Sequence, residues 1–261
     1  MDGLTPTQAR GRFAWYELMT TDPIGARAFY PHVTGWTTET MDIGPMPYQL
    51  WKAGDKPFGG VMELPAPAKA MGAPTHWLGY LCSPDTDASV ARAVELGATT
   101  YMGPMSIPTV GRVAILADPQ GAVIGFYTPE TTASPERGLG RPSWHELMTE
   151  DAEAAWSFYS ELFGWVVMQD MDMGPHGTYR MYGTPDGVML GGIMKRPEQM
   201  PKSAWNYYIQ VPNLEEAIAG ATSHGATLVN GPMDVPGGDR VANLIDPQGG
   251  HFALHWAKPA A

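Results

Sequence analysis

The 261-residue sequence predicts an α+β protein in which one βαβββ unit occurs four times, grouped as two tandem modules. Three observations lead there. The second half repeats the first in order, each quarter opens with a strand, a capping residue and an amphipathic helix, and further short apolar runs follow each helix.

The repeat sets the boundaries. Trp15 to Asp22, WYELMTTD, returns as Trp144 to Asp151, WHELMTED, with six of eight residues kept. Gly97 and Gly103-Pro104-Met105 return as Gly225 and Gly231-Pro232-Met233, and Asp118-Pro119-Gln120-Gly121 returns as Asp246-Pro247-Gln248-Gly249. Matches that keep their order along the chain indicate tandem modules. Here they are residues 1–128 and 143–261, joined by a linker over 129–142 in a stretch rich in Thr, Pro and Gly.

Each quarter then divides by local chemistry. Phe13 to Thr20 reads as a strand, and Asp22-Pro23 caps a helix with proline at its first position, carrying Ala26, Phe29 and Tyr30 toward a core. Asp151 opens the equivalent helix, with Ala155, Phe158, Tyr159 and Leu162 on one face and Gly164 as its stop. Trp77 to Cys82 and Trp205 to Val211 are strands, followed by helices that start at Asp85 and Asn213 and end near Gly97 and Gly225; Asn213 and Glu216 have capping-box spacing. Trp165 to Asp170, Tyr179 to Gly183 and Val188 to Met194 are short strands between Gly and Pro turns.

Composition narrows the function classes. With 44% hydrophobic residues the chain can bury a full core, and a formal net charge of -11 repels nucleic acid and anionic lipid. No apolar run has the length of a signal peptide or a membrane span. One cysteine, Cys82 in the apolar run WLGYLC, excludes an internal disulfide framework and suits a reducing cytoplasm, with the thiol buried. The expected partner is a small-molecule ligand, and the expected state a cytoplasmic monomer or homodimer.

A strand, an Asp-opened helix bearing Phe-Tyr, then Gly-Trp, and later Asp-Pro-x-Gly occur in both halves: Asp22, Phe29-Tyr30, Gly35-Trp36 and Asp118 to Gly121, then Asp151, Phe158-Tyr159, Gly164-Trp165 and Asp246 to Gly249. This pattern resembles the vicinal oxygen chelate superfamily, the glyoxalase, bleomycin-resistance and extradiol dioxygenase group. The resemblance covers nearly the whole chain. It implies that two βαβββ units pair into a curved eight-stranded mixed sheet around a small-molecule cavity. If the protein turns a substrate over, it implies lyase, isomerase or hydroxylase-like chemistry.

The resemblance also implies places for metal ligands, and these can be read one by one. Strand side chains alternate between faces, which puts Trp144, Glu146 and Met148 toward the cavity and His145, Leu147 and Thr149 on the packed face. The ligand places then hold Trp144, Asn206 (or Trp205 if a bulge shifts the strand) and Ala253, and in the first half Trp15, Leu78 or Trp77, and Gly125. None is an ordinary divalent-metal donor, so no metal or other cofactor is expected. His145 reads as a packed histidine. The alternative is an unconventional metal site at His251 and His255, which share the cavity face with Ala253 but lack a third fixed donor.

Without a metal, acid/base chemistry falls to Glu146 and Glu17, carboxylates on apolar strands where burial raises a pKa. The plainer reading is that each accepts hydrogen bonds from a neighbour such as Arg112 or Arg240. Trp144, Met148, Asn206, Tyr208, Gln210, Arg240, His251 and His255 are the expected ligand-binding set. Seventeen methionines, Met41, Met46, Met105 and Met173 among them, with nine tryptophans suit an adaptable aromatic pocket or ordinary core filling. Gly59-Gly60 and Gly191-Gly192 open no helix and follow no phosphate-loop pattern, so they read as tight turns or strand packing. Three functions follow: a metal-independent binder of an apolar or aromatic metabolite with Glu-based acid/base chemistry, a sequestration protein without catalysis, and a metal-dependent lyase or oxygenase using other ligands.

Overall fold

The computed structural model describes residues 3–41, 48–133, 135 and 137–259. Met46, and Ser134 and Glu136 of the expected linker, lie outside the described residues. The first half supplies β1 (Phe13–Thr20), α1 (Pro23–Thr34), β2 (Thr37–Met41), β3 (Tyr48–Ala53), β4 (Lys56–Glu63), α2 (Ala66–Ala70), β5 (His76–Cys82), α3 (Thr86–Glu95), β6 (Thr99–Ile107), β7 (Gly111–Ala117) and β8 (Val123–Pro129). The second half supplies β9 (Pro142–Thr149), α4 (Ala152–Phe163), β10 (Val166–Asp172), β11 (Thr178–Gly183), β12 (Met189–Lys195), β13 (Ala204–Gln210), α5 (Leu214–Ser223), β14 (Thr227–Asp234), β15 (Arg240–Ile245) and β16 (His251–Trp256).

The strands form two open eight-stranded mixed sheets with the same plan, β2-β3-β4-β1-β5-β8-β7-β6 and β10-β11-β12-β9-β13-β16-β15-β14. The pairs β1·β4, β5·β8, β9·β12 and β13·β16 are parallel, and the outer pairs are antiparallel. This is the α+β, four-times-βαβββ plan expected from the sequence.

The helix ends follow the expected chemistry. Asp22 accepts from the Gly25 N–H, Asp85 from Ala88, Asp151 from Glu153 and Ala154, and Asn213 from Glu216, each satisfying donors that a helix start leaves open. Gly35 and Gly164 close α1 and α4 in the left-handed conformation, at φ 71 and 70. The five-residue α2 has no capping side chain and buries nothing, so no periodicity marks it in advance. No helix among the described residues is long and apolar enough to cross a membrane.

By packing, the chain divides into two compact units: Met1–Trp15 with Leu78–Glu136 and Trp144–Trp205, and Tyr16–Trp77 with Arg137–Ser143 and Asn206–Ala261. In the first, the Tyr159 hydroxyl of α4 donates to Asp118 Oδ2 at 3.1 Å and accepts from Trp205 Nε1 at 3.2 Å. In the second, the Tyr30 hydroxyl of α1 donates to Asp246 Oδ2 at 2.8 Å and accepts from Trp77 Nε1 at 2.9 Å. Both aspartates also accept backbone N–H groups of their own Asp-Pro-Gln-Gly turn. Burial pushes both carboxyls up from the usual carboxylate range, and these hydrogen bonds pull them partly back.

Aromatic rings fill the space around each tyrosine. Tyr159 stacks on Trp165 and meets Trp205 edge-on, while Tyr30 stacks on Trp36 and meets Trp51 and Trp77 edge-on. The tryptophans are therefore largely core. Met41, Met105 and Met173, expected as pocket candidates, are instead exposed. Cys82 is buried beside Ala9 and Ala133, and burial pushes its thiol up to about 12.

Removing either tyrosine hydroxyl strands a buried indole N–H and weakens a buried carboxylate's solvation. Tyr159→Phe and Tyr30→Phe should each lower stability by about 1–3 kcal/mol, measured by urea unfolding with the m-value unchanged. A loss under ~0.5 kcal/mol in both would show that the hydroxyls are dispensable.

Candidate functional site

Glu17 and Glu146 occupy the same place in the two sheets, and each is buried, at 7% and 9% relative exposure. Register places each beside a glycine on the parallel neighbour strand, Glu17 opposite Gly60 and Glu146 opposite Gly192. A methyl group on either glycine would collide with a tyrosine ring, Tyr48 over Gly60 and Tyr179 over Gly192. The missing side chain is thus what lets the ring lie flat on the sheet and reach the carboxylate. The Tyr48 hydroxyl donates to Glu17 Oε1 at 2.5 Å, and the Tyr179 hydroxyl donates to Glu146 Oε1 at 2.9 Å.

At the second carboxylate the chain of donors is longer. Trp144 Nε1 donates to the Tyr179 hydroxyl at 2.8 Å, so indole, phenol and carboxylate stand in line. An indole N–H can only donate, which forces the phenol to turn its own hydrogen to Glu146. The phenol thereby fixes the plane of the carboxylate. Such a group can accept a proton from a bound molecule while the phenol holds its orientation.

The neighbours differ from those expected. Arg112 is bound to Asp87 at 2.5 and 2.7 Å, and Arg240 pairs with Glu215 and lies 3.5 Å from Asp234. The partners of the glutamates are tyrosines, which the sequence reading missed. A signal was present: Tyr48 and Tyr179 hold corresponding places in the repeat, shortly before the Gly-Gly pairs. Those pairs are strand packing, since Gly59 and Gly191 lie against the backbone carbonyls of Tyr16 and His145.

His145 lies on the packed face as expected. Its ring is buried, stacks on Phe13 at 4.0 Å and places Nδ1 2.7 Å from the Leu190 carbonyl. Met148 is half-buried on β9 opposite Met194.

The remaining expected ligand-binding residues lie in the unit that contains β15 and β16. Asn206 Nδ2 donates to Asn243 Oδ1 at 2.8 Å. Tyr208 is buried and Gln210 half-buried on the same strand face. His251 is exposed at the start of β16. His255 has both ring nitrogens engaged, Nδ1 with Ser143 Oγ at 2.7 Å and Nε2 with Asp239 Oδ2 at 2.9 Å. His255 is thus committed to the fold, and among the described residues no three His, Cys, Asp or Glu side chains gather as a metal site. At the places implied by the family resemblance, Trp144 has an indole N–H that donates to Tyr179, Ala253 has no donor atom, and Asn206 offers a single neutral amide oxygen, too few donors to hold an ion. These residues do not fit the metal that the extradiol dioxygenase group uses.

A surface depression of about 380 Å³ opens beside α4, lined by Glu150, Asp151, Glu153, Thr178, Arg180 and Lys195. Arg180 there is already neutralised by Asp170 and Glu153 at 3.0 and 2.8 Å.

Comparison with known proteins gives a consistent picture. Residues 141–254 match the profile of the Glyoxalase/Bleomycin resistance protein/Dioxygenase superfamily. The chain is 41% identical over 128 residues to CFP32 of Mycobacterium tuberculosis, a protein named as a glyoxylase candidate, and the match spans 49% of this chain and 48% of that relative, about half its length. It is 29% identical to the anthracycline biosynthesis protein DauV of Streptomyces sp. over 97% of both chains. A glyoxylase-like domain-containing protein of Didymella fabae is 30% identical over 69% of its length and 33% of this chain. Among solved structures, the 2,3-dioxygenase LapB from Pseudomonas sp. KL28 superposes with a TM-score of 0.66 at 13% identity, over 96% of this chain and 94% of that one.

The two glycine positions of each pair make different demands. Gly192→Ala presses on a side chain that can swing away and should cost about 1–3 kcal/mol, whereas Gly191→Ala presses on backbone and should cost more. Thermal unfolding of both variants checks the order, and the reverse order would show that Tyr179 does not lie over Gly192.

Proposed function

The chain belongs to the glyoxalase/bleomycin resistance protein/dioxygenase superfamily, and from that premise we propose that it binds a small aromatic metabolite and moves a proton on it without a metal. The observation that carries this reading is the line from Trp144 through Tyr179 to Glu146. Glu146 is the base. Tyr179 fixes its plane and stabilises its negative charge between turnovers, and Trp144 sets the direction of the phenol hydrogen. Glu17 with Tyr48 repeats the carboxylate–phenol pair in the first half.

The full-length similarity to DauV, a protein of anthracycline biosynthesis, supports a biosynthetic role and a polycyclic aromatic ligand. The metal-free reading rests on donor chemistry: an indole, an amide and a methyl group stand where the family resemblance puts metal ligands.

The test is a pair of conservative variants. Glu146→Gln removes the base and keeps the shape, and proton exchange or turnover of a bound hydroxyquinone should fall by at least 100-fold, while Glu17→Gln has a smaller effect. Equal effects would place the chemistry in both halves. Binding with no exchange in the wild-type protein would leave sequestration as its function. Elemental analysis after dialysis should find well under one divalent metal per chain, and one retained metal per chain would overturn the metal-free mechanism.

A further inference from the structure

Asn206 carries a buried carbonyl oxygen with no partner. The residue is 6% exposed, its Nδ2 donates to Asn243 Oδ1 at 2.8 Å, and its own Oδ1 receives no hydrogen bond. An amide oxygen left this way is unfavourable unless a donor arrives from water or a ligand. The hydrogen bond to Asn243 also fixes the direction in which that oxygen points.

The duplicated half serves as an internal control. Register across β15, β16 and β13 puts Asn243 beside Ala253 and Ala253 beside Tyr208, with Asn206 two residues before Tyr208 on the same face. The same register in the first half puts Ile115 beside Gly125 and Gly125 beside Tyr80, with Leu78 two residues before it. Leu78 and Ile115 are buried and apolar, so the fold does not need amides at these places. The floor differs too. In the first half the Tyr80 ring lies over Gly125, where a methyl group would collide with it. Ala253 has that methyl, so the Tyr208 ring cannot lie over it as the Tyr80 ring lies over Gly125, although Ala253 and Tyr208 are both buried.

We propose that Asn206 and Asn243 form a neutral subsite that accepts a hydroxyl group of an aromatic ligand on Asn206 Oδ1. An uncharged acceptor selects a neutral donor, because an anion would be repelled by the oxygen and a cation would gain more from water or a carboxylate. The subsite rests on the aromatic-ligand reading above for the class of ligand alone and adds the group by which an aromatic molecule is chosen. A site built around a hydroxyl discriminates strongly against an analogue that cannot donate.

The experiment titrates the full chain at about pH 6, where the hydroxyl is un-ionised, with 2-hydroxyanthraquinone, whose hydroxyl has no acceptor within its own molecule, and with its methyl ether, 2-methoxyanthraquinone, following tryptophan fluorescence. The hydroxyl form should bind roughly ten- to hundredfold more tightly. The double variant Asn206→Leu, Asn243→Ile copies the first half's apolar pair, so it should fold, and it should bind the two quinones alike. Equal binding of both by the wild-type chain, the result expected if the oxygen holds only a water, overturns the subsite and leaves the aromatic reading standing. Discrimination that survives in the double variant also overturns it. Binding of neither quinone overturns the aromatic reading and the subsite together.

Discussion

Within each compact unit, one buried hydrogen-bonded node holds the rest in place: an aspartate from an Asp-Pro-Gln-Gly turn, a tyrosine from a helix and a tryptophan from a strand. Asp118 meets Tyr159 and Asp246 meets Tyr30, so each node joins a turn of one half of the chain to a helix of the other. An ionised carboxyl away from water is tolerable only when donors surround it. Here two backbone N–H groups and a phenol do so. The phenol in turn is held by an indole that can do nothing but donate. The sequence motifs most visible in both halves, Phe-Tyr, Gly-Trp and Asp-Pro-x-Gly, are therefore requirements of packing, and the proposed chemistry lies elsewhere.

That chemistry depends on a second constraint, the approach of parallel strands at Gly59-Gly60 and Gly191-Gly192. One glycine of each pair accommodates a neighbouring backbone carbonyl, and the other leaves room for a tyrosine ring. The ring covers the sheet and delivers its hydroxyl to a buried glutamate. Under the proposed acid/base reading stability and reactivity are linked in this arrangement, because the phenol that donates to the buried carboxylate also orients it.

Duplication separates what the scaffold needs from what a ligand selects. The glutamate, tyrosine and glycine recur in both halves as Glu17, Tyr48 and Gly60 and as Glu146, Tyr179 and Gly192. Leu78 and Ile115 against Asn206 and Asn243 do not recur. Two copies of one sheet plan with different side chains on matching positions are free to differ in ligand recognition while sharing their folding rules.

The sequence by itself determined the α+β class, the four units, the helix caps and the face on which each strand residue lies, because these depend on periodicity and on local hydrogen bonding. It read His145 as a packed histidine and put Asn213 at a helix start, as found. It offered Arg112 or Arg240 as examples of a hydrogen-bonding neighbour for Glu17 and Glu146, where the structure has tyrosines, and it could not see that Ser143 and Asp239 occupy both nitrogens of His255. Those pairings join residues far apart in the chain, and among several candidate donors only strand register and ring packing decide which one arrives. The orphaned oxygen of Asn206 belongs to the same class, since a missing hydrogen bond is a property of everything that surrounds the atom in three dimensions.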